Sequence, residues 1–234
     1  MSLFDQSIDY SQEVYRNIRG IKISQDLFDD LSSDPLNWEA ANTIDIQTHP
    51  ALTNSPLIQR AFDYSKNDFI DFPFEHITES RYSNGSIPCW YGSESLETTI
   101  FETRHHFIQE IRSSWESFRN QKEVKIDRRV AIVNCHGLAF DLTQKTEEFP
   151  WLVDAVNYIR CQEIGGRVAR EGHPLLRVPS ARHQEGVNLV TFNTSVLSNP
   201  REYCKLHYIL NVSAREIRAF RGDIELLEPT FLVV

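Results

Sequence analysis

The stretch of sequence that decides the fold is residues 80–102, SRYSNGSIPCWYGSESLETTIFE. It opens with Arg81 in a region rich in Gly, Ser, Asn and Pro, which are residues typical of turns. A short aromatic strand ending at Tyr91 follows, and a helical pattern then begins that contains Glu102. We therefore expect a loop arginine, a strand-end tyrosine and a helix glutamate to face one cleft. Such a trio suits a substrate with phosphates, a flat ring and a bond that breaks with developing positive charge.

The pattern on either side of this stretch predicts an α+β fold, in which helices flank a curved mixed β-sheet. One helix is predicted over residues 95–118, with its apolar residues on one side. A second is predicted over residues 151–171 and is stopped by Gly172. The apolar runs that read as strands are residues 130–135 and 138–142 around His136-Gly137, then 175–178, 188–192, 206–212, 217–220 and, more weakly, 224–234.

The first part of the chain reads as short helices and turns. Between Ser11 and Arg19 the apolar residues Val14, Tyr15 and Ile18 recur at helical spacing. Residues 24–31 repeat the pattern. We therefore predict an N-terminal helical extension over residues 1–52 and a catalytic domain over residues 53–234.

Composition narrows the classes of function. The 234 residues carry a formal charge of −9, which disfavours a general nucleic-acid binder but leaves room for a local basic pocket. The four cysteines are widely spread and form no C-x-x-C pair, so we expect reduced thiols. The first residues do not resemble a signal peptide, and no apolar run is long enough to span a membrane. We expect a cytoplasmic protein that binds neither membrane nor nucleic acid directly.

Ser180 belongs to a second candidate group, which comprises residues 179–182 and 185–188. A serine that follows a strand and a proline can point into a cleft from the strand end. Ser180 is not in a G-x-S-x-G elbow, so nothing indicates a hydrolase nucleophile. Its alternative role is a loop hydroxyl that bonds to nearby backbone. For the first group, the alternative is a set of surface arginines and a solvated glutamate.

The histidines do not indicate a metal site. His105 and His106 are adjacent, so their rings point to different faces of a helix. Neither they nor His136 belong to an H-x-x-x-H pattern or to a His-carboxylate spacing typical of metal ligands. We predict no bound metal.

Residues 57–192 resemble the RES family, which is named for a recurring arginine, glutamate and serine. The most specific part runs from Arg81 through the aromatic strand to Glu102, and the interval from Tyr91 to Glu102 is 102 − 91 = 11 residues. Residues 178–182 and 186–188 look like the later strand-and-loop signature of the family. Arg60 lies 81 − 60 = 21 residues before Arg81, which resembles the spacing of the first family arginine.

The resemblance implies an ADP-ribosyltransferase-like fold and a toxin of a bacterial toxin–antitoxin pair that cleaves the nicotinamide–ribose bond of NAD. Arg60 and Arg81 would hold the pyrophosphate, and Tyr91 would pack against the nicotinamide or its ribose. Glu102 would stabilise the ribosyl cation, and Ser180 would orient a ribose, the amide or the nucleophile. NAD is the substrate, so no separate cofactor is implied. Phosphorolysis, with inorganic phosphate as co-substrate, and hydrolysis both stay open. A cognate antitoxin is the implied protein partner.

Two other functions stay open from the residues. One is a mono-ADP-ribosyltransferase that modifies a macromolecule, although its usual E-x-E pair is absent, since Glu94, Glu97 and Glu102 are spaced differently. The other is a non-enzymatic NAD-binding module, because a fold alone does not establish activity.

Overall fold

A computed structural model of the protein describes residues 3–20 and 66–232. The described residues form a mixed β-sheet with flanking helices, so the predicted α+β class is confirmed. Arg60, the segment around it and the predicted helix over residues 24–31 lie outside the described residues. In the described ranges, no helix combines the length and the apolar character needed to cross a bilayer.

The elements follow one another in this order along the chain: β1 (Ser7–Arg19), α1 (Phe72–Glu75), β2 (Glu79–Ser80), β3 (Ser83–Asn84), β4 (Trp90–Ser93), α2 (Leu96–Ser113), α3 (Trp115–Phe118), β5 (Glu123–Asp141), α4 (Ile159–Arg170), β6 (Leu175–Pro179), β7 (Val187–Thr191), β8 (Leu197–Asn211), β9 (Glu216–Arg221), β10 (Ile224–Glu225) and β11 (Thr230–Phe231). A π-helical turn, Asn67–Asp71, and two 3₁₀ turns, Pro150–Val153 and Thr194–Val196, complete the set.

The strands around the cleft described below close on themselves. β1 pairs antiparallel with β5 from Ser7↔Phe140 to Arg19↔Arg128, and its Tyr15 also meets Ser93 of β4. β4 continues to β7, β7 to β6, and β6 runs parallel to the last part of β5. The first part of β5 instead pairs with β8, which carries the sheet outward to β9. β5 is thus the shared strand of the ring and of the outer sheet.

The predicted helix between Ser11 and Arg19 is wrong, because this segment is strand β1. Tyr10 and Val14 are buried in the sheet interior, whereas Ser11 is exposed. The apolar spacing fits a helix, but the segment pairs with β5 along its whole length, which satisfies the backbone N–H and C=O groups that face β5. Residues 7–19 therefore belong to the same sheet as the rest of the chain and are not a helical extension.

Two further predictions need correction. The strands predicted on either side of His136-Gly137 are one continuous strand, β5, since both residues pair with β1 at Ser11 and Tyr10. A side chain at position 137 would lie 3.0 Å from Val196. Glycine therefore lets β5 pass close to the 3₁₀ turn Thr194–Val196. The second helix begins at residue 159 instead of 151, because the Asp154 carboxylate accepts two backbone N–H groups and holds a turn there.

Most other predicted elements are confirmed, but the strand predicted over residues 224–234 is two short strands, β10 and β11, among the described residues. The helix over residues 95–118 is α2 followed by α3, and the strands over 175–178, 188–192, 206–212 and 217–220 correspond to β6 to β9. Gly172 ends α4 with a positive φ of 77°. At the start of α2 the Ser95 side chain accepts the N–H of Thr98 at 3.1 Å, which caps the helix.

Helix α2 presents two different faces. Ile100, Phe107 and Ile111 are buried against the outer part of the sheet, where each fully buried apolar side chain contributes roughly 1.5–3 kcal/mol. The adjacent face carries Thr99, Glu102, Thr103 and His106 and borders an open cleft. Packing of the apolar face thus fixes where the polar face stands.

Candidate active site

A cleft of about 440 Å³ lies between α2, the ring strands, the β2–β3 hairpin and the loop that follows β6. This volume is within the usual range for small-molecule sites. Three of the residues predicted from sequence, Arg81, Tyr91 and Glu102, line it. Ser180 is buried directly behind Glu102, and Arg60 lies outside the described residues.

Glu102 is held by two neutral donors that reach the same carboxylate oxygen. Ser180 donates its hydroxyl to Oε1 at 2.6 Å, and Asn188 donates its amide Nδ2 to Oε1 at 2.7 Å. Asn188 is itself fixed because its Oδ1 accepts the hydroxyl of Ser93 at 2.7 Å. Within the described ranges no protein donor reaches Oε2. The carboxylate is therefore fixed in orientation and keeps one oxygen for a ligand.

Ser180 is a positioning residue in this geometry. Its only hydroxyl proton goes to Glu102, and its Oγ accepts the backbone N–H groups of Arg182 and His183, both at 3.1 Å. Its own backbone N–H donates to the carbonyl of Gly186 at 2.7 Å. These bonds tie the loop after β6 to α2. The structure shows the second of the two roles that the sequence left open, a hydroxyl that organises its own loop, and Ser180 reaches the cleft through its bond to Glu102.

Tyr91 anchors the hairpin that carries Arg81. Its hydroxyl donates to Ser80 Oγ and accepts the backbone N–H of Tyr82, both at 2.9 Å. Burial, followed by the neighbouring Cys89 thiol, raises the pKa of Tyr91 well above its usual value, so the phenol stays protonated. With the hydroxyl engaged, the ring is the part of Tyr91 that is presented to the cleft.

Arg81 belongs to a group of three side chains from different elements. Its guanidinium lies over the Tyr158 ring at 4.3 Å, and its Nη1 donates to the carbonyl of Leu152 at 3.4 Å. Arg182 donates its Nη2 to the Tyr158 hydroxyl at 2.7 Å and to the carbonyl of Ala155 at 2.8 Å. Tyr158 therefore sets the spacing of two arginines, which keep further N–H donors for an anion.

The cleft is positive although the chain as a whole is negative. Among the described lining residues are four arginines, at positions 16, 81, 128 and 182, against the two carboxylates Glu79 and Glu102. Burial, then the positive charge of Arg182 and other nearby cations, lowers the pKa of the adjacent His105 to about 4. Such a cleft concentrates anionic ligands.

No metal centre is seen in the part of the chain that the structure describes, where no three His, Cys, Asp or Glu side chains gather in a way that could hold an ion. The prediction that the protein binds no metal stays a prediction. The lining carboxylates are Glu79 and Glu102, and Glu102 is engaged by hydroxyl and amide donors.

Several residues of the site carried no role in the sequence analysis. Asn188 lies in a quoted motif, but its bond to Glu102 follows from the pairing of β7 with β4. Arg182 also lies in a quoted motif, but its contact with Tyr158 joins separate loops and follows from no local pattern. Arg16 and Arg128 reach the cleft from β1 and β5. The prediction of a helix over β1 concealed the first of these.

Comparisons with known proteins bear on the family. No curated protein matches the sequence. Among solved structures, a chain from the crystal structure of the M. tuberculosis MbcT–MbcA toxin–antitoxin complex is similar with a TM-score of 0.41 and 12% identity, over 84% of this chain and 86% of that one. The family model described as RES domain matches residues 57–211, which is more than half of the 234 residues. This chain therefore belongs to the RES domain family.

Proposed function

We propose that the protein cleaves the bond between nicotinamide and ribose in NAD. The observation that carries the proposal is the fixed carboxylate of Glu102, which keeps Oε2 available in a positively charged cleft. A carboxylate held in this way can stabilise positive charge on a ribose, and the surrounding arginines attract the pyrophosphate of the same substrate.

Arg81 and Arg182 are suited to hold the pyrophosphate. A guanidinium grips phosphate oxygens with two parallel N–H groups, and Tyr158 holds both arginines in place. The Tyr91 ring offers a flat surface for nicotinamide or its ribose, since its hydroxyl is fixed to the hairpin. The arginines and Tyr91 come from elements other than α2, which carries Glu102. The cleft therefore holds the pyrophosphate and the nicotinamide end of the substrate independently of the carboxylate.

The chemistry requires the ribose to carry positive charge as the bond breaks. The electron pair of the C1′–N bond goes to nicotinamide, whose ring becomes neutral, and the carboxylate of Glu102 faces the resulting oxocarbenium. An oxygen nucleophile then bonds to C1′. Water gives ADP-ribose and releases a proton, whereas inorganic phosphate gives ADP-ribose carrying a phosphate on C1′. Ser180 and Asn188 keep the carboxylate oriented throughout.

Membership in the RES domain family supports a cellular role as a toxin that depletes NAD in the cytoplasm. In that role a cognate antitoxin would restrain the enzyme until it is needed. An antitoxin that restrains it by occlusion would cover the cleft, because the cleft brings together the arginines and the glutamate that the reaction requires.

The test is to incubate purified protein with NAD labelled separately in nicotinamide and in adenosine, with and without inorganic phosphate. We expect release of nicotinamide, and chromatography of the adenosine-labelled product distinguishes the two nucleophiles. Transfer of the adenosine label to a macromolecule would instead indicate a transferase. Binding of NAD without loss of NAD would leave a binding module and overturn the proposal.

A further inference from the structure

Arg16 on β1 is a guanidinium at the cleft with unused hydrogen-bonding capacity. Its Nη1 donates to the carbonyl of Tyr91 at 2.8 Å, and the group lies over the Trp90 ring at 5.4 Å. Its Nε is buried and has no hydrogen-bond partner among the described residues. Burial, and then the positive charge of Arg128, lowers the pKa of Arg16 to about 10, so it stays protonated at neutral pH. An unpartnered buried donor of this kind is costly unless a ligand completes it.

Thr99 provides a second unpartnered donor in the same cleft. Its side chain is 4% exposed, and its Oγ1 has no partner in the described part of the chain. Thr99 lies three residues before Glu102 on α2, and residues at this spacing are neighbours on one helix face. Both line the cleft. The free hydroxyl is therefore close to the carboxylate around which the reaction is proposed.

Arg128 adds a second positive charge from β5. Its Nε and Nη2 donate to Asn17 at 2.9 and 3.1 Å, and Asn17 is held in turn by Thr103 and Tyr208. This arrangement fixes the guanidinium at the cleft without neutralising its charge. Within the described ranges neither Arg16 nor Arg128 has a carboxylate at ion-pair distance.

Two other arginines of the sheet have carboxylate partners. Arg129, next to Arg128, pairs with Asp68 and Glu202. Arg177 on β6 pairs with Glu94 at 2.6 Å and with Asp141 at 2.9 Å. Arg16 and Arg128, which line the cleft, have no such carboxylate among the described residues, so an external anion can complete them.

We propose that Arg16, Thr99 and Arg128 form a subsite for a phosphate oxyanion on the strand side of the cleft. The inference deepens the proposed function and rests on it for the identity of the larger substrate. The oxyanion has two sources, inorganic phosphate that enters as a second reactant and a phosphate of the dinucleotide itself. Arg16 lies outside the residues matched by the family model, so the match assigns it no role.

The test measures binding and needs no turnover. Inorganic phosphate is titrated calorimetrically into the wild-type protein and into its Arg16→Gln and Thr99→Val variants. NAD is titrated into the Glu102→Gln protein and into the same protein that carries Arg16→Gln or Thr99→Val as a second substitution. Arg16→Gln removes one charge-assisted bond to phosphate and should weaken binding by about 10-fold or more. Thr99→Val removes one neutral hydrogen bond and should weaken binding by several-fold. The matched control is Arg19→Gln on the same strand, whose exposed guanidinium pairs with Glu110 outside the cleft and should change either affinity by less than about 2-fold.

The outcomes separate the sources. A loss confined to inorganic phosphate assigns the subsite to the second reactant, and a loss confined to NAD assigns it to the dinucleotide; both support the subsite. Thr99→Val removes a hydroxyl that has no partner among the residues the structure describes, so the variant should fold even if Arg16→Gln does not. Wild-type binding of both anions by Thr99→Val would overturn the subsite. Failure of the proposed function would show separately, as NAD that binds and is never cleaved.

Discussion

At the scale of single residues, the orientation of Glu102 matters most. Both of its donors use one oxygen, so replacement by glutamine can keep the bond from Ser180 and remove only the charge. We expect Glu102→Gln to bind NAD nearly as well as the wild type and to lower the rate of NAD loss by roughly 10²-fold or more, because the amide cannot stabilise a ribosyl cation.

The measurement for Glu102 is nicotinamide release together with calorimetric titration of NAD. The control is Glu97→Gln, an exposed carboxylate in the first turn of the same helix. Turnover by Glu102→Gln at the wild-type rate would remove this carboxylate from the mechanism.

Ser180→Ala should behave differently from Glu102→Gln. The variant loses a donor to the carboxylate and an acceptor for two backbone N–H groups. We expect the free energy of unfolding to fall by about 1–3 kcal/mol, and kcat to fall with little change in KM. Urea unfolding and steady-state kinetics measure the two effects. An enzyme as inactive as Glu102→Gln, with unchanged stability, would instead show that Ser180 acts directly in the chemistry.

At the scale of elements, helix α4 holds the β2–β3 hairpin against the cleft. Gln162 donates to the carbonyl of Ser80 at 3.0 Å, and a side chain at Gly165 would lie 2.0 Å from the carbonyl of Tyr82. Helix and hairpin therefore approach as closely as glycine allows. Gly165 serves this close packing.

Gly165→Ala should push α4 away from the hairpin that carries Arg81. We expect the free energy of unfolding to fall by about 1–3 kcal/mol and the affinity for NAD to fall with it. Gly166→Ala is the matched control, because the nearest atom to its new side chain is the flexible end of Arg170 at 3.3 Å. Alanine there should stabilise the helix by up to about 1 kcal/mol. Equal stability of the two variants would contradict the close contact.

Elements whose contacts are local could be predicted from the sequence. Strand β4 and helix α2 are consecutive, so Tyr91 and Glu102 were found together from spacing alone. The sequence pattern of β1 predicts a helix because Val14, Tyr15 and Ile18 fit either structure, and only its partner β5, more than a hundred residues later, decides between the two. Because the pairing of β1 with β5 is so distant in the sequence, the sequence also does not predict that Arg16 reaches the cleft.

The loops around the site show the same limit. Arg182 meets Tyr158, and Asn188 meets Glu102, through contacts between segments that are distant in the sequence, and no short pattern encodes that packing. The position of Ser180 at a strand end predicts a hydroxyl that points into the cleft, whereas in the structure Ser180 is buried behind Glu102 and donates to that carboxylate.

At the scale of the whole molecule, β1 is an inner strand of the ring and not an accessory. Val14 is fully buried, so Val14→Asp places a charge in the sheet interior and should destabilise the fold by several kcal/mol. Ser11→Asp on the same strand points to solvent and is the control. Circular dichroism with urea measures both. A chain shortened to residues 53–234 that unfolds cooperatively would show that the ring is dispensable.

The positive cleft also makes stability depend on pH. The pKa of His105 is lowered to about 4 by burial and then by Arg182, against about 6.5 in an unfolded chain. Between these values the unfolded state takes up a proton that the folded state rejects, so stability falls as the pH drops from about 6.5 toward 4.

Replacing His105 with glutamine should make that decline smaller. The measurement is the urea midpoint at pH 7.5, 6 and 5 for wild type and His105→Gln. His136→Gln, at an exposed position on β5, serves as the control. An identical decline in wild type and His105→Gln would place the acid sensitivity elsewhere.

The ring of strands has a consequence for protein synthesis. Ser7 of β1 pairs with Phe140 of β5, which is 140 − 7 = 133 residues later in the chain. At the usual pace of translation, on the order of 10 s passes between their appearance. Asn188, which helps to orient Glu102, is made later still. The cleft is therefore completed only after Asn188 has been made, and a nascent chain that stops short of that residue has no working site.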